Sequence, residues 1–157
     1  MDSLMKYINR IYRCAGQYRS VRLGNNELRP HQHFYLFHVC KNPGISQEQL
    51  AQRIWVNKSN VTRQINALEK QGYVTRIPDE NDRRVMRVYP TPDAQKLYPD
   101  VQRSMKEWNE MLFSELSETE QEQFVNMLSR IADRAKQAVE DKDGTIPDWD
   151  SLDGEKR

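Results

Sequence analysis

Residues 57–70, NKSNVTRQINALEK, carry side chains whose types and spacing suit the reading of duplex DNA. At about 100° per residue on a helix, Val61, Ile65 and Leu68 fall together on one side. Ser59, Arg63, Asn66 and Lys70 cluster near the opposite pole, with Thr62 beside them. Arginine grips guanine O6 and N7 with two parallel bonds, asparagine pairs with the adenine edge, and a threonine methyl touches thymine. Lys58, Ser59, Thr62, Arg63 and Asn66 are therefore the candidate contacts of a recognition helix. A second set follows at Asp82, Arg83, Arg84 and Arg87. An arginine at a hairpin tip fits the narrow, electronegative minor groove, and a neighbouring carboxylate fixes its orientation. The competing readings are a solvated polar helix face and a charged turn that blunts strand edges against aggregation.

The elements that must hold these residues form a series of helices interrupted by one hairpin. Leu4, Ile8, Ile11, Ala15 and Tyr18 recur at four- and three-residue steps and predict an amphipathic helix over 3–22. A connection with Gly24, Asn25 and Asn26 leads to a second helix, with Pro30 in its first turn, running to about Cys40. Ser46 and Gln49 have capping-box spacing, and Leu50, Ala51 and Ile54 give the buried face of a short third helix. Asn57 caps the fourth helix and Gly72 ends it. Runs 73–77 and 85–89 flank the polar stretch 78–82 and predict a hairpin. Thr91, Pro92 and Asp93 start a fifth helix reaching about Leu116, and Ser117 with Glu120 caps a sixth, marked by Phe124, Leu128, Ile131, Ala135 and Val139. The expected fold is mainly α with a small β-hairpin wing, a winged helix-turn-helix of about six helices. One domain is expected over 1–140, with the winged lobe at about 28–91 and flanking helices at about 3–22 and 92–140; an acidic, flexible tail over 141–157 follows.

At 157 residues, with 37% hydrophobic and 30% charged side chains, the chain is long enough to bury one core. No apolar run approaches the roughly 18 to 20 residues that span a bilayer, and the N-terminal stretch lacks a continuous apolar signal segment. A cytoplasmic protein with no membrane partner is expected. The net charge of +1 hides a gradient: residues 1–52 carry seven Lys/Arg against three Asp/Glu, 53–90 eight against four, and 100–157 eight against fifteen. The basic part coincides with the winged segment, which suits phosphate, while the acidic end points away. A P-loop, a dinucleotide glycine pattern and HExxH are all missing from the sequence, so neither catalysis nor a cofactor is expected.

A cleft or sensor is the other candidate site. Tyr12, Cys14 and Tyr18 on the first helix and His31, Tyr35 and His38 on the second have the chemistry to line one. Arg10 and Arg13 near Cys14 would favour a thiolate for redox sensing. The plainer reading of Cys14 and Cys40 is that of small hydrophobes, and two cysteines are too few for a disulfide framework. His31 and His38 lie two helical turns apart, too far for one metal ion without further ligands, and no metal site is expected.

Four motifs carry a family resemblance: L-x-P-x-Q at Leu28, Pro30 and Gln32; S-x-x-x-L-A at Ser46, Leu50 and Ala51; VTRQINALEKQGYV over 61–74; and R-x-P-x-x-x-D-x-R from Arg76 to Arg84. On these residues the chain resembles the multiple antibiotic resistance regulator (MarR) family of dimeric winged-helix transcription factors, and the flanking helices extend the resemblance over about 3–140. The resemblance implies a sequence-specific, double-stranded DNA-binding homodimer whose first and last two helices intertwine over a pseudo-palindromic operator. It also implies a repressor released by a small phenolic or anionic effector in the cleft between dimer helices and lobe, or by thiol oxidation. The apolar faces agree with a partner chain, because Leu4, Ile8, Ile11, Phe124, Leu128 and Ile131 exceed what a small lobe can bury. The alternative is a winged-helix protein-interaction module or anti-repressor that has left DNA, against which Arg63 and Arg84 stand.

Overall fold

The computed structural model describes residues 3–24, 28–29 and 31–143. In chain order its elements are α1 (Leu4–Leu23), α2 (Gln32–Lys41), β1 (Ile45–Ser46), α3 (Gln47–Ile54), α4 (Lys58–Lys70), β2 (Val74–Pro78), β3 (Met86–Pro90), α5 (Pro92–Phe113) and α6 (Glu118–Asp143). Six helices and a small antiparallel sheet make a winged helix-turn-helix, as the periodicity predicts.

The core gathers one apolar stripe from each central element. Leu36 and Val39 from α2, Leu50 from α3, Val61, Ile65 and Leu68 from α4, Val88 from β3, and Ala94 and Val101 from α5 are wholly excluded from water. The sheet has the order β1-β3-β2, with Thr75 opposite Tyr89 and Ile77 opposite Arg87 in the hairpin. Strand β1 was not expected, since two residues show no periodicity. It pairs Ile45 with Val88 and Ser46 with Arg87 on the other edge of β3. Gly44 leads into it with φ 82°, a backbone that favours glycine, and a Cβ there would lie 3.0 Å from the Tyr89 hydroxyl.

Most boundaries agree with the capping signals. The Ser46–Gln49 capping box forms in both directions, at 3.1 and 3.0 Å. The Thr91 hydroxyl accepts from Ala94 N–H at 3.3 Å and donates to Gly72 O at 2.7 Å, tying the end of α4 to the start of α5. Helix α2 starts at Gln32; the expected start at Pro30, with Asn25 and Asn26, lies outside the described residues. Helix α5 stops at Phe113, short of the expected Leu116, where the Ser114 hydroxyl donates back to Met111 O at 2.9 Å. Helix α6 runs to Asp143, beyond the expected end at 140, and the remaining expected tail, 144–157, lies outside the described residues. No helix among the described residues is long and apolar enough to cross a membrane.

Helix α6 stands apart from this core. Its described side chains are exposed, apart from half-buried Gln121 and Val139. It meets α5 where Phe124 packs edge-on against Phe113, ring centroids 6.0 Å apart.

Leu68→Ala removes a fully buried side chain at the junction of α4 with the core, and is expected to cost about 2–5 kcal/mol in urea unfolding.

Candidate nucleic-acid interface

The helix-turn-helix is α3, a short turn and α4. The turn is made by Trp55, whose backbone sits in the left-handed region at φ 52°, while Val56 N–H donates to Ala51 O at 3.1 Å. A bulky residue there costs of the order of 1–3 kcal/mol, which the buried flanks of α3 and α4 must outweigh. Asn57 then opens α4, accepting from Asn60 N–H at 2.8 Å and from the Ser59 hydroxyl at 2.8 Å.

Burial of Val61, Ile65 and Leu68 turns the opposite face outward. Lys58, Ser59 and Arg63 are exposed and Thr62 and Asn66 half-exposed, so all five expected recognition residues lie on the accessible side. Two of them have their hydroxyls committed. Ser59 serves the helix cap, and Thr62 donates to Lys58 O at 2.9 Å and to Gln47 Oε1 at 3.3 Å, leaving its methyl as the outward chemistry.

The wing tip is built by two aspartates. Asp79 Oδ1 accepts the backbone N–H groups of Asn81 and Asp82 at 2.9 and 3.1 Å, and Asp82 Oδ1 accepts that of Arg84 at 3.0 Å. Asp82 therefore orients Arg84 through the backbone rather than through its guanidinium. Arg83 and Arg84 are exposed at the tip.

Arg87, expected as a wing contact, is turned into the protein. Its Nε donates to Asp79 Oδ2 at 2.6 Å and its Nη1 to Gly44 O at 3.3 Å and Gln49 Oε1 at 3.2 Å. The β3 register opposite Ser46 brings it beside α3, so it acts as a strut between wing and helix-turn-helix. Asp79 was missed as its partner. The Arg87 guanidinium, followed by the Asn81 and Asp82 amides, holds the Asp79 carboxyl below the usual carboxylate range. Also missed was the ion pair of Glu69 on α4 with Arg76 on β2, which sets the recognition helix against the wing. In both pairs the partners come together only once the hairpin register is known.

A cavity of about 410 Å³ lies behind α4, walled by α1, α2, α5 and the first turn of α4. Of the candidate cleft residues, Tyr12, His31 and Tyr35 line it, joined by Arg19, Phe34, Asn57, Asn60, Met105, Trp108 and Asn109. The Tyr35 hydroxyl donates to Asn60 Oδ1 at 2.6 Å, and His31 Nε2 meets Gln64 Oε1 at 3.0 Å, so Tyr35 of α2 and His31 just before it are both bonded to α4. Arg19 Nε is buried without a hydrogen-bond partner among the described residues, and burial lowers the guanidinium from its ordinary value despite the opposing influence of Tyr12.

Three expected cleft residues lie elsewhere. Relative to the Tyr12–Ala15–Arg19 face, Cys14 points about 130° and Tyr18 about 90° round α1. Cys14 is exposed, and Tyr18 donates to Glu107 Oε2 at 3.2 Å and packs on Trp108, ring centroids 5.3 Å apart. His38 lies about 10 Å further along α2 than His31, edge-on to Phe34 and Phe37, and burial, then Arg53 and Lys41, lower its pKa. Cys40 is half-buried, and desolvation pushes its thiol up to about 11, which removes the thiolate needed for redox sensing. Among the described residues no group of three or more His, Cys, Asp or Glu side chains is placed to hold a metal ion.

Comparison with known proteins agrees with this geometry. The MarR family model matches residues 28–86, from just before α2 to the first residue of β3. The HTH-type transcriptional regulator YybA of Bacillus subtilis is 30% identical over 131 residues, covering 83% of this chain and 87% of that protein. The solved structure of the transcriptional regulator SlyA superposes with a TM-score of 0.82 at 30% identity, covering 88% of this chain and 96% of that one. A MarR family regulator from Listeria monocytogenes, solved in complex with a 26mer DNA, superposes with a TM-score of 0.75 at 26% identity, covering 100% and 99% of the two chains.

The depressed Asp79 pKa gives the wing a pH limit. The carboxylate stabilises the tip above the ordinary aspartate pKa of about 4, and that contribution is lost as pH falls through the lower folded-state value. Amide-exchange protection factors at Asn81 and Asp82 are expected to hold at neutral pH and to be lost only as the pH falls below the ordinary aspartate range. Asp79→Ala shows the loss at neutral pH, while protection in α4 persists.

Proposed function

The chain belongs to the MarR family of transcriptional regulators, and from that premise we propose that it is a homodimeric repressor whose α4 reads the major groove and whose Arg84 enters the adjoining minor groove. The observation that carries this reading is the facing of α4. A fully buried apolar stripe forces Arg63, Asn66 and the Thr62 methyl outward, beside a wing held to α4 by Glu69–Arg76 and to α3 by Arg87. The DNA bound in the related Listeria monocytogenes structure supports duplex DNA as the partner.

The homodimer is supported by what one chain leaves uncovered. Leu4, Ile11, Phe124, Leu128 and Ile131 are exposed and Ile8 half-buried, forming apolar faces on α1 and α6 that a second copy would bury. Two-fold symmetry then calls for half-sites about 34–36 Å apart, a pseudo-palindromic operator, whose occupation excludes polymerase.

The cavity supports release by a small effector. Its volume and the aromatic walls Tyr12, Phe34 and Trp108 suit one aromatic ring, and the desolvated Arg19 suits an acidic or phenolic group on that ring.

A gel-shift titration against duplexes selected from a random pool tests the DNA reading. Arg84→Ala is expected to weaken every duplex and to lower the salt slope, whereas Arg63→Ala also erases the difference between selected and scrambled duplex, a loss of about 1–3 kcal/mol in discrimination. Equal losses on both duplexes for Arg63→Ala would remove it from base reading.

In the same assay a panel of benzoates and phenols is expected to release wild-type protein, and Arg19→Gln to lose its response to the carboxylates first. Release of the variant at unchanged concentrations excludes Arg19 as the anion's partner.

A further inference from the structure

A second groove borders the recognition helix, on the side of α2. Arg63 and Lys70 of α4 line one wall and Arg29, just before α2, the other, with Gln32, Gln64 and Gln71 between them. No carboxylate among the described residues lines it. Arg63 and Lys70 are seven residues apart, so the groove follows α4 for about two turns, or about 10 Å.

Arg29 is held in place rather than loosely tethered. Gln32 is 2% exposed, and its Oε1 accepts the Arg29 backbone N–H at 2.7 Å. The same side chain donates through Nε2 to Gln71 Oε1, 3.3 Å away at the end of α4. The backbone of Arg29 is therefore referenced to the recognition helix through one buried glutamine, while its side chain is exposed and meets no carboxylate among the described residues.

We propose that this groove seats the sugar–phosphate backbone of duplex DNA alongside α4, with Arg29 and Lys70 as phosphate contacts outside both the recognition face and the wing. The inference rests on the DNA-binding reading above. Charge selects the partner, since a groove with three cations, amide donors and no acid among its described residues matches a continuous anion. Continuity selects the duplex, because Arg63 belongs both to this groove and to the face turned towards the bases. Phosphate contacts fix register and carry no sequence information, so the groove strengthens binding to every duplex equally.

The test is a salt series on full-length wild type, Arg29→Gln, Arg29→Lys and Lys70→Gln, each titrated with a duplex selected by the wild type and with its scrambled version. Arg29→Gln and Lys70→Gln are each expected to reduce the slope of log affinity on log salt by about 0.9, which is about eightfold in affinity at 0.1 M salt relative to 1 M. The loss is the same on both duplexes, and Arg29→Lys restores the slope. Thermal melts of the variants match the wild type, because both side chains are exposed. An unchanged slope for Arg29→Gln overturns the inference while leaving DNA binding intact, as does a loss confined to the selected duplex. Wild type that binds no duplex at low salt overturns the DNA reading itself.

Discussion

Val61, Ile65 and Leu68 are wholly excluded from water, and because a helix is rigid their burial dictates where each other residue of α4 points. Arg63 and Asn66 face outward for no reason of their own; they occupy the pole left over. The stripe is locked from several sides, by Leu36 and Val39 of α2, Leu50 of α3 and Val74 and Val88 of the sheet. A shift of one residue in this register would bury a polar side chain and expose an apolar one. Specific recognition of bases therefore depends on an apolar contact that never touches DNA.

The arginines of the winged segment divide into two kinds by what their neighbours do. Arg76 and Arg87 have carboxylates within reach and serve as ties, from β2 to α4 and from β3 to the Asp79 tip and α3. These pairs are partly exposed, so their Coulombic contribution to stability is small; their effect is geometric, fixing the angle between wing and helix. Arg83 and Arg84 stand beyond them, on a tip whose turn is shaped by Asp79 Oδ1 and Asp82 Oδ1 accepting backbone amides.

The order of elements was legible because it rests on local signals: 3.6-residue periodicity, two capping boxes, and Asn57 and Gly72 bounding α4. The face of α4 was legible for the same reason. What escaped depends on contacts between distant segments. Strand β1 exists only because β3 offers an edge to Ile45 and Ser46. Arg87 looked like its neighbours until pairing placed it between Asp79 and Gln49. Cys14 and Tyr18 entered the expected cleft by residue type alone, whereas Arg19 and Trp108, on α1 and α5, meet in the cavity only through the packing of those two helices.

On the proposed function, coupling between the cavity and DNA passes through α4. A molecule in the cavity changes DNA affinity only if it binds two arrangements of that helix unequally, and DNA then changes affinity for the molecule by the same factor. The contacts able to report such a difference are few. Asn57 and Asn60 place the first turn of α4 in the cavity wall, and Tyr35 holds Asn60 there. One turn on, His31, which with Tyr12 borders both the cavity and the basic groove, bonds Gln64, so this pair stands between the apolar space and the basic groove. A ligand group that drew His31 away would break its bond to the buried Gln64, at a cost of about 1–3 kcal/mol. Movement of α4 that lets water or the ligand satisfy the abandoned amide recovers that cost. An effector needs only this much leverage, because a few kcal/mol spans the usual range of coupling between distant sites.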